Sequence, residues 1–479
     1  MNTNLKRIFA ICMTVVLVLG VSACKQSTEI ISSFIEYDND VSDGNSGDTN
    51  AASGSNSGKG NNISGSGNNS GSGNGGSGSN SNVPAKLRGT TVTIYNWNEM
   101  NTVPGAKNAF AKFTKETGIK VKWVVGSYDN YASELAAMVS ADNAPDVLRL
   151  KCRNVALLKE MQPLEEACGY KFSDSVWDKE LMSHYTIKGK VYATNYKDTL
   201  MQNPCMMIYN KSLISQYQLT DPYNLYKQGK WTMDAFVEIC REFVEKAGSG
   251  SGYWAWSPLT GEDLLSKRGV SYTTFDGTKY VNNMSNPQVL AGFKEHARYT
   301  EMGITTGSFY QGSAWESGKI LFFTNAAISA RKNSGGVNTE MQKKGTLGVV
   351  PMPKDTTLDK EYQVITEYEA YGIAKRAKNA AAVPYMLSYY LDPSNYDEKN
   401  FFYDAKVLPM YKECLANPNK FVAMEQDYVL TTAFGLNRGQ MTNVLVNTKA
   451  AQLESVLKQY SAKVDNAINK VNKELEKVQ

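Results

Sequence analysis

The chain is 479 residues long, 42% apolar and 20% charged, with a formal net charge of +4 and no dense basic run, a balance that argues against a nucleic-acid partner. It holds two histidines, His184 and His296, and no P-loop, Gly-x-Ser-x-Gly elbow or His-Glu-x-x-His pair, so the enzyme classes built on those motifs lack their signatures. Glycoside hydrolysis needs only two carboxylates, and among 47 Asp and Glu the spacing neither singles out a pair nor excludes one.

Lys6 and Arg7 precede an apolar run, Ile8 to Gly20, too short to span a bilayer comfortably, which is the layout of a secretory signal peptide. The closing residues Val21-Ser22-Ala23-Cys24 resemble the lipobox of bacterial lipoproteins. That resemblance implies a signal peptide over 1–23 and a lipid-modified Cys24, which anchors the mature chain on the outer face of the cell membrane of a Gram-positive bacterium. Two or three acyl chains on Cys24 would hold it there stably, where one would not. Residues 24–83 are the linker, and from Gly44 to Asn82 they are almost wholly Gly, Ser and Asn. Such a segment buries no apolar surface and is predicted to be a disordered tether, with a reach of ~30–40 Å. Its formal Gly-x-Gly-x-x-Gly at Gly71, Gly73 and Gly76 has no strand before it and no helix after it, so it carries no nucleotide-binding meaning.

About 400 residues follow, enough for two domains with substantial cores. Thr91–Trp97 reads as a strand, Gly105–Thr117 as a helix stopped by Gly118, and Lys120–Val125 as a second strand. Asp129–Val139 is a second helix, Pro145–Leu150 a third strand, and Asn154–Met161 a third helix. This alternation predicts a parallel sheet covered on both faces. The pattern restarts with strand-like Cys205–Tyr209 and a short helix. Thr232 is placed to cap a helix whose Phe236, Ile239, Cys240, Phe243 and Val244 share one face. A helix opens at Ser285-Asn286-Pro287 and ends by Gly303, Leu347–Met352 is a strand or crossover, and Ala377–Leu391 is helical. The C-terminal stripe Leu453, Val456, Leu457, Tyr460, Val464, Ile468, Val471 and Leu475 suits one helix packed on its own lobe, with a coiled-coil seam as the alternative. Beyond Cys12 and Cys24, the five cysteines Cys152, Cys168, Cys205, Cys240 and Cys414 include no Cys-x-x-Cys and are expected as small buried residues.

Several stretches, in order, resemble the extracellular solute-binding proteins of ABC importers, and within them the maltose-binding-like sugar binders of family 1. They are TVTIYNWNEM, AFAKFTKETGIKV, APDVLRL, MQPLEEACG, IKGKVYATNY, MMIYNKSLISQYQL, GKWTMDAFVEICREF, GKILFFTNAAI, GTLGVVPMPKD and YEAYGIAKRAKN, and the resemblance covers essentially all of residues 88–479. The resemblance implies an α/β, two-lobed fold of the type II periplasmic-binding-protein kind, with ligand in the cleft between lobes. By similarity, lobe one takes 84–198 and 355–395 and lobe two takes 199–354 and 396–479, with crossings near Tyr196–Pro204 and Val349–Lys354. It implies a carbohydrate ligand, an ABC permease as partner, a monomer bound to the membrane through its anchor alone, and neither cofactor nor metal nor catalysis. A non-sugar solute, a surface glycosidase, or a sensor subunit docked on a membrane kinase are the rival readings.

A sugar offers hydroxyls and flat C–H faces, so its cleft needs aromatic platforms with planar polar groups, placed beyond the C-terminal ends of strands. Candidates at such places are Trp97, Asn98 and Glu99 after the first strand, and Lys151, Arg153 and Asn154 after the third. Asn203 lies at the first crossing, and Trp254, Trp256 and Ser257 at a strand in the second lobe, where one of the two tryptophans is expected to line the cleft. Trp315, Glu369 and Tyr371 complete the set, while Trp231 is expected to be structural. Where maltose-type relatives carry a tryptophan after the GKILFF-like stretch, this chain has Ile328-Ser329-Ala330 and then Arg331, which leaves room for an acidic sugar.

Overall fold

The computed structural model describes residues 83–98, 103–248, 250–305, 312–332, 334–423 and 428–478. The expected signal peptide, Cys24, nearly all of the expected linker and Glu99 lie outside these residues. The fold is built on two mixed sheets. In the first, Lys120–Val125, Thr91–Asn96 and Val147–Leu150 run parallel, as the alternation predicts. The sheet then departs from that expectation, because Ala370–Ala374 returns antiparallel to Val147–Leu150 and carries Met161–Gln162 and Ala193–Thr194 on its other edge. All four residues of Val147–Leu150 are buried, as in a strand covered on both faces.

The helix Ala106–Thr117 buries Phe110 and Phe113 and stops at Gly118, whose φ of 73° is readily adopted only without a Cβ. The expected helix Asn154–Met161 is shorter than its sequence suggests. It covers Val155–Leu158, and Met161 leaves it to pair with Ala374 at the sheet edge. Pairing satisfies the backbone there, where another helical turn would leave the strand Ala370–Ala374 without that neighbour.

The second sheet is centred on Asn203–Asn210, in which every residue is buried. That strand is antiparallel to Ile320–Ala326, Leu347–Pro351 and Gln363–Glu367, with Trp254–Ser257 and Lys420–Val422 on the two outer positions. Helix Met233–Ala247 covers it with Phe236, Ile239, Cys240 and Phe243, and the Thr232 hydroxyl accepts from Ala235 N–H at 3.2 Å, the expected cap. Trp231 is structural as expected, donating Nε1–H to the Pro351 carbonyl at 2.8 Å.

The chain passes from the first sheet to the second between Thr194 and Asn203, which overlaps the stretch Tyr196–Pro204 expected for this crossing. The return is elsewhere than expected. Leu347–Pro351 and Gln363–Glu367 both pair with the central strand of the second sheet, so the chain goes back between Glu367 and Ala370, not at 349–354. Ile365 pairs with Pro204 of the central strand and Val364 clusters with Cys205 of that strand and Ala423, which holds residues 363–367 with the second sheet.

The C-terminal stripe forms one helix, Leu453–Leu475, with Leu453, Leu457, Val464, Ile468, Val471 and Leu475 buried against this chain itself. Asn472 brackets the backbone of Tyr280 with bonds of 2.8 and 2.9 Å, and Glu474 meets Lys159 at 2.6 Å. The helix therefore touches the short helix beside the first sheet as well as the segments that follow the second-sheet strand Trp254–Ser257. Cys152, Cys168, Cys205, Cys240 and Cys414 are all buried, and burial raises the thiol pKa of Cys205, Cys240 and Cys414. Among the described residues no helix is long and apolar enough to cross a membrane.

Candidate ligand cleft

The first strand ends in a turn that aims its last aromatic residue. The Asn96 side chain accepts from Trp97 N–H at 2.9 Å and donates to Asn98 Oδ1 at 2.8 Å, so the chain bends and Trp97 emerges half-buried. Tyr131, at the start of helix Tyr131–Ser140, stacks on Tyr95 with ring centroids 4.3 Å apart and donates its hydroxyl to the Tyr95 carbonyl at 2.8 Å. This rigid pair supports Trp97 edge-on at 5.2 Å, and Tyr128 meets it edge-on at 5.9 Å.

Two cations lie over the indole. The Arg149 guanidinium carbon is 4.4 Å from the Trp97 ring centroid and Lys151 Nζ is 4.7 Å from it. Lys151 Nζ is also 4.6 Å from the Tyr128 ring. These groups, with Tyr428 and Phe434, line a cavity of about 340 Å³. The size is at the lower end of small-molecule sites, and the place is the one α/β folds favour, beyond the C-terminal ends of the strands. A larger groove of about 730 Å³ runs along the crossings, but its rim lysines Lys412 and Lys420 are ion-paired to Glu398 and Glu180 at 2.7 and 2.6 Å. Trp177, at its floor, is 1% exposed and offers no platform.

Behind the cavity lies a buried polar network. Glu369, in the crossing, is paired with Arg149 and accepts from Asn203 Nδ2 at 3.0 Å. Asn203 Oδ1 accepts from Arg331 at 3.3 Å, and Arg331 also donates to the Leu200 carbonyl at 3.0 Å. The Glu369 carbonyl accepts from Asn195 at 2.6 Å and from Gln202 at 3.4 Å. Asn203, Glu369 and Arg331 are thus brought together, but in a buried network and not among the residues that line the cavity. Arg331 is spent on the crossing, so it gives no ground for an acidic ligand.

Trp97 and Lys151 line the cavity as expected, and Asn98 is exposed beside Trp97. Asn154 also lines it, yet its side chain accepts from Ala156 N–H at 3.0 Å and caps the helix. The remaining candidates belong elsewhere. The Arg153 guanidinium carbon sits 3.9 Å from the Phe275 ring centroid, packed on the hairpin 273–282, where stacking desolvates its plane. Trp256 is in the second core and donates to Thr324 Oγ1 at 2.8 Å, because its strand turns that face toward helix Met233–Ala247. Ser257, its neighbour, is buried in the ladder opposite Phe323. Trp254 starts that strand opposite Ile320 and is not a lining residue, so neither tryptophan lines the cleft. Trp315 packs on Phe323 and donates to Asn338 Oδ1 at 2.9 Å. Tyr371 is fully buried against the edge of Tyr390.

Arg149, Tyr128, Tyr131, Tyr428 and Phe434 were not among the candidates. An arginine inside the apolar run Val147–Leu150 is the one signal that marks such a position, because a buried cation demands a partner.

A sequence profile for bacterial extracellular solute-binding proteins matches residues 108–427. The chain belongs to that family. The solute-binding protein is 22% identical over 263 residues to the diacetylchitobiose binding protein of Streptomyces coelicolor, an alignment covering 50% of this chain and 58% of that relative's length. Its fold is that of an ABC substrate-binding protein from Listeria monocytogenes solved with cycloalternan, with a TM-score of 0.54 and 13% identity over 79% of this chain and 99% of the other. A cyclic α-maltosyl-1,6-maltose binding protein from Arthrobacter globiformis is similar to the same degree, with a TM-score of 0.55 and 14% identity over 81% of this chain and 99% of the other. The architecture is therefore the two-lobed, type II periplasmic-binding-protein-like fold expected from the sequence.

Proposed function

We propose that the solute-binding protein captures an oligosaccharide in the Trp97 cleft and hands it to an ABC permease. The observation that carries this reading is the half-buried Trp97 ring, braced edge-on by Tyr131 and Tyr128, with the cations Arg149 and Lys151 over it, at the strand ends. A sugar ring stacks on such an indole through its C–H face, while the cations and tyrosine hydroxyl meet its hydroxyls. The ligands named for the relatives above, a chitobiose derivative and cyclic glucans, support the carbohydrate class.

Lobe one then comprises 84–198 with the return from about residue 368 to 395, and lobe two the remainder. Cys24 is the lipid anchor, and the Gly/Ser/Asn tether keeps the loaded receptor near its permease without fixing its orientation. No reaction is assigned. Among the described lining residues Asp129 is the one carboxylate, which does not favour a two-carboxylate glycosidase.

The test is thermal unfolding of the full chain against maltotetraose, diacetylchitobiose, mannotriose, an acidic trisaccharide, peptides and polyamines. A glycan at a hundred times its Kd adds about 2.7 kcal/mol of stability. A rise in Tm with a glycan class and no release of reducing ends supports the receptor. A rise only with peptides or polyamines overturns the carbohydrate reading.

A further inference from the structure

Arg149 lies in a strand with no exposed residue and is itself only 7% exposed, so its charge must be compensated inside the protein. Its backbone stands opposite Tyr371 in the antiparallel pair, which brings its side chain alongside Glu369 just before that strand. A guanidinium is planar. It can give its edge to a carboxylate and its face to an aromatic ring at the same time, which an ammonium cannot. Arg149 meets both groups, pairing with Glu369 through one guanidinium nitrogen and placing its guanidinium carbon over the Trp97 ring, 4.4 Å from the centroid. Glu369 is fixed in turn by Asn203 at the head of the second sheet's central strand, and its carbonyl by Asn195 and Gln202 from the other crossing. The place of the guanidinium is therefore set by residues of both crossings, and it lies over the indole.

We propose that Arg149 is a positioning residue that orients the Trp97 platform, and that Glu369 and Asn203 act on the cleft through Arg149 rather than by touching the ligand. The proposal rests on the reading of Trp97 as the stacking surface. It also makes the platform sensitive to the crossings, so that a change in lobe angle and a change in Trp97 orientation accompany one another.

The experiment uses the full chain labelled with 5-fluorotryptophan. Its seven tryptophans give separate fluorine resonances, and that of Trp97 is identified by its loss in Trp97→Phe. In Glu369→Gln, which keeps the shape and the Asn203 bond but removes the charge, the Trp97 resonance shifts and broadens and the others stay in place. Arg149→Lys, which keeps a cation but loses the plane, does the same. In both variants maltotetraose affinity falls at least ten-fold. If either variant unfolds cooperatively, with the Trp97 resonance and the affinity as in the wild type, Arg149 is only a structural ion-pair partner and the proposal is overturned. Should Glu369→Gln fail to fold, Arg149→Lys carries the same readouts. Should the wild type bind neither maltotetraose nor diacetylchitobiose while the Trp97 resonance still moves, the positioning role stands and the carbohydrate reading falls.

Discussion

Two tryptophans separate stability from binding at the level of single residues. Trp256 is 1% exposed, so Trp256→Ala is expected to destabilise the protein by about 3–5 kcal/mol in denaturant unfolding, through lost burial and a cavity. Glycan affinity in the folded fraction should change little, since Trp256 is buried in the second core and is not among the residues that line the cavity. His296 gives a pH dependence. It is buried on helix Pro287–Glu301, its Nε2 meets no partner among the described residues, and burial pushes its pKa from 6.5 down to about 4. The unfolded chain therefore binds the extra proton between those values. The stabilisation is complete above pH 6.5 and is lost as the pH falls toward 4, up to roughly 3 kcal/mol in all. Urea midpoints measured between pH 4 and 7 should drop on acidification, and His296→Phe should flatten that slope. An unchanged slope in the variant would show that other groups carry it.

Among the elements, the parts that could be read from the sequence are those where local pattern and packing agree. The helix Met233–Ala247 buries the face its spacing predicts, and the first three strands run as their alternation predicts. The misplacements occur where the partner in space decides. Met161 reads as helical and is taken by the sheet edge, and residues 363–367 read as first-lobe chain and are held by the second sheet. The site divides in the same way. Trp97 and Lys151 were legible because they follow strand ends, whereas Trp256 and Tyr371 were not, since strand alternation leaves open which face is core. Gly372 shows how tight the shared strand is. A Cβ there would meet the Met161 side chain and stand 2.8 Å from the Tyr192 carbonyl, which is backbone and cannot give way. Gly372→Ala is expected to cost about 1–3 kcal/mol by overpacking, read as a lower urea midpoint. A wild-type midpoint would mean that the strand Ala193–Thr194 is free to shift.

For the whole molecule, the two sheets, the two crossings and the C-terminal helix all belong to one compact unit, residues 85–479. Proteins of this fold act by hinge closure on ligand, which a fall in radius of gyration on glycan addition would register. The Lys159–Glu474 pair links the C-terminal helix to the short helix beside the first sheet, but both side chains are about a quarter to a third exposed, and such pairs contribute ~1 kcal/mol or less. Glu474→Gln should therefore shift glycan affinity by no more than about five-fold. The central claim is capture at Trp97, and calorimetric titration tests it most directly. The glycan that most raises Tm is titrated into the wild-type chain and into Trp97→Ala. Stoichiometric binding in the wild type with at least ten-fold weaker binding in the variant, about 1.4 kcal/mol or more, is the expected result. Equal affinity in a folded Trp97→Ala protein would contradict it and place the ligand elsewhere on the molecule.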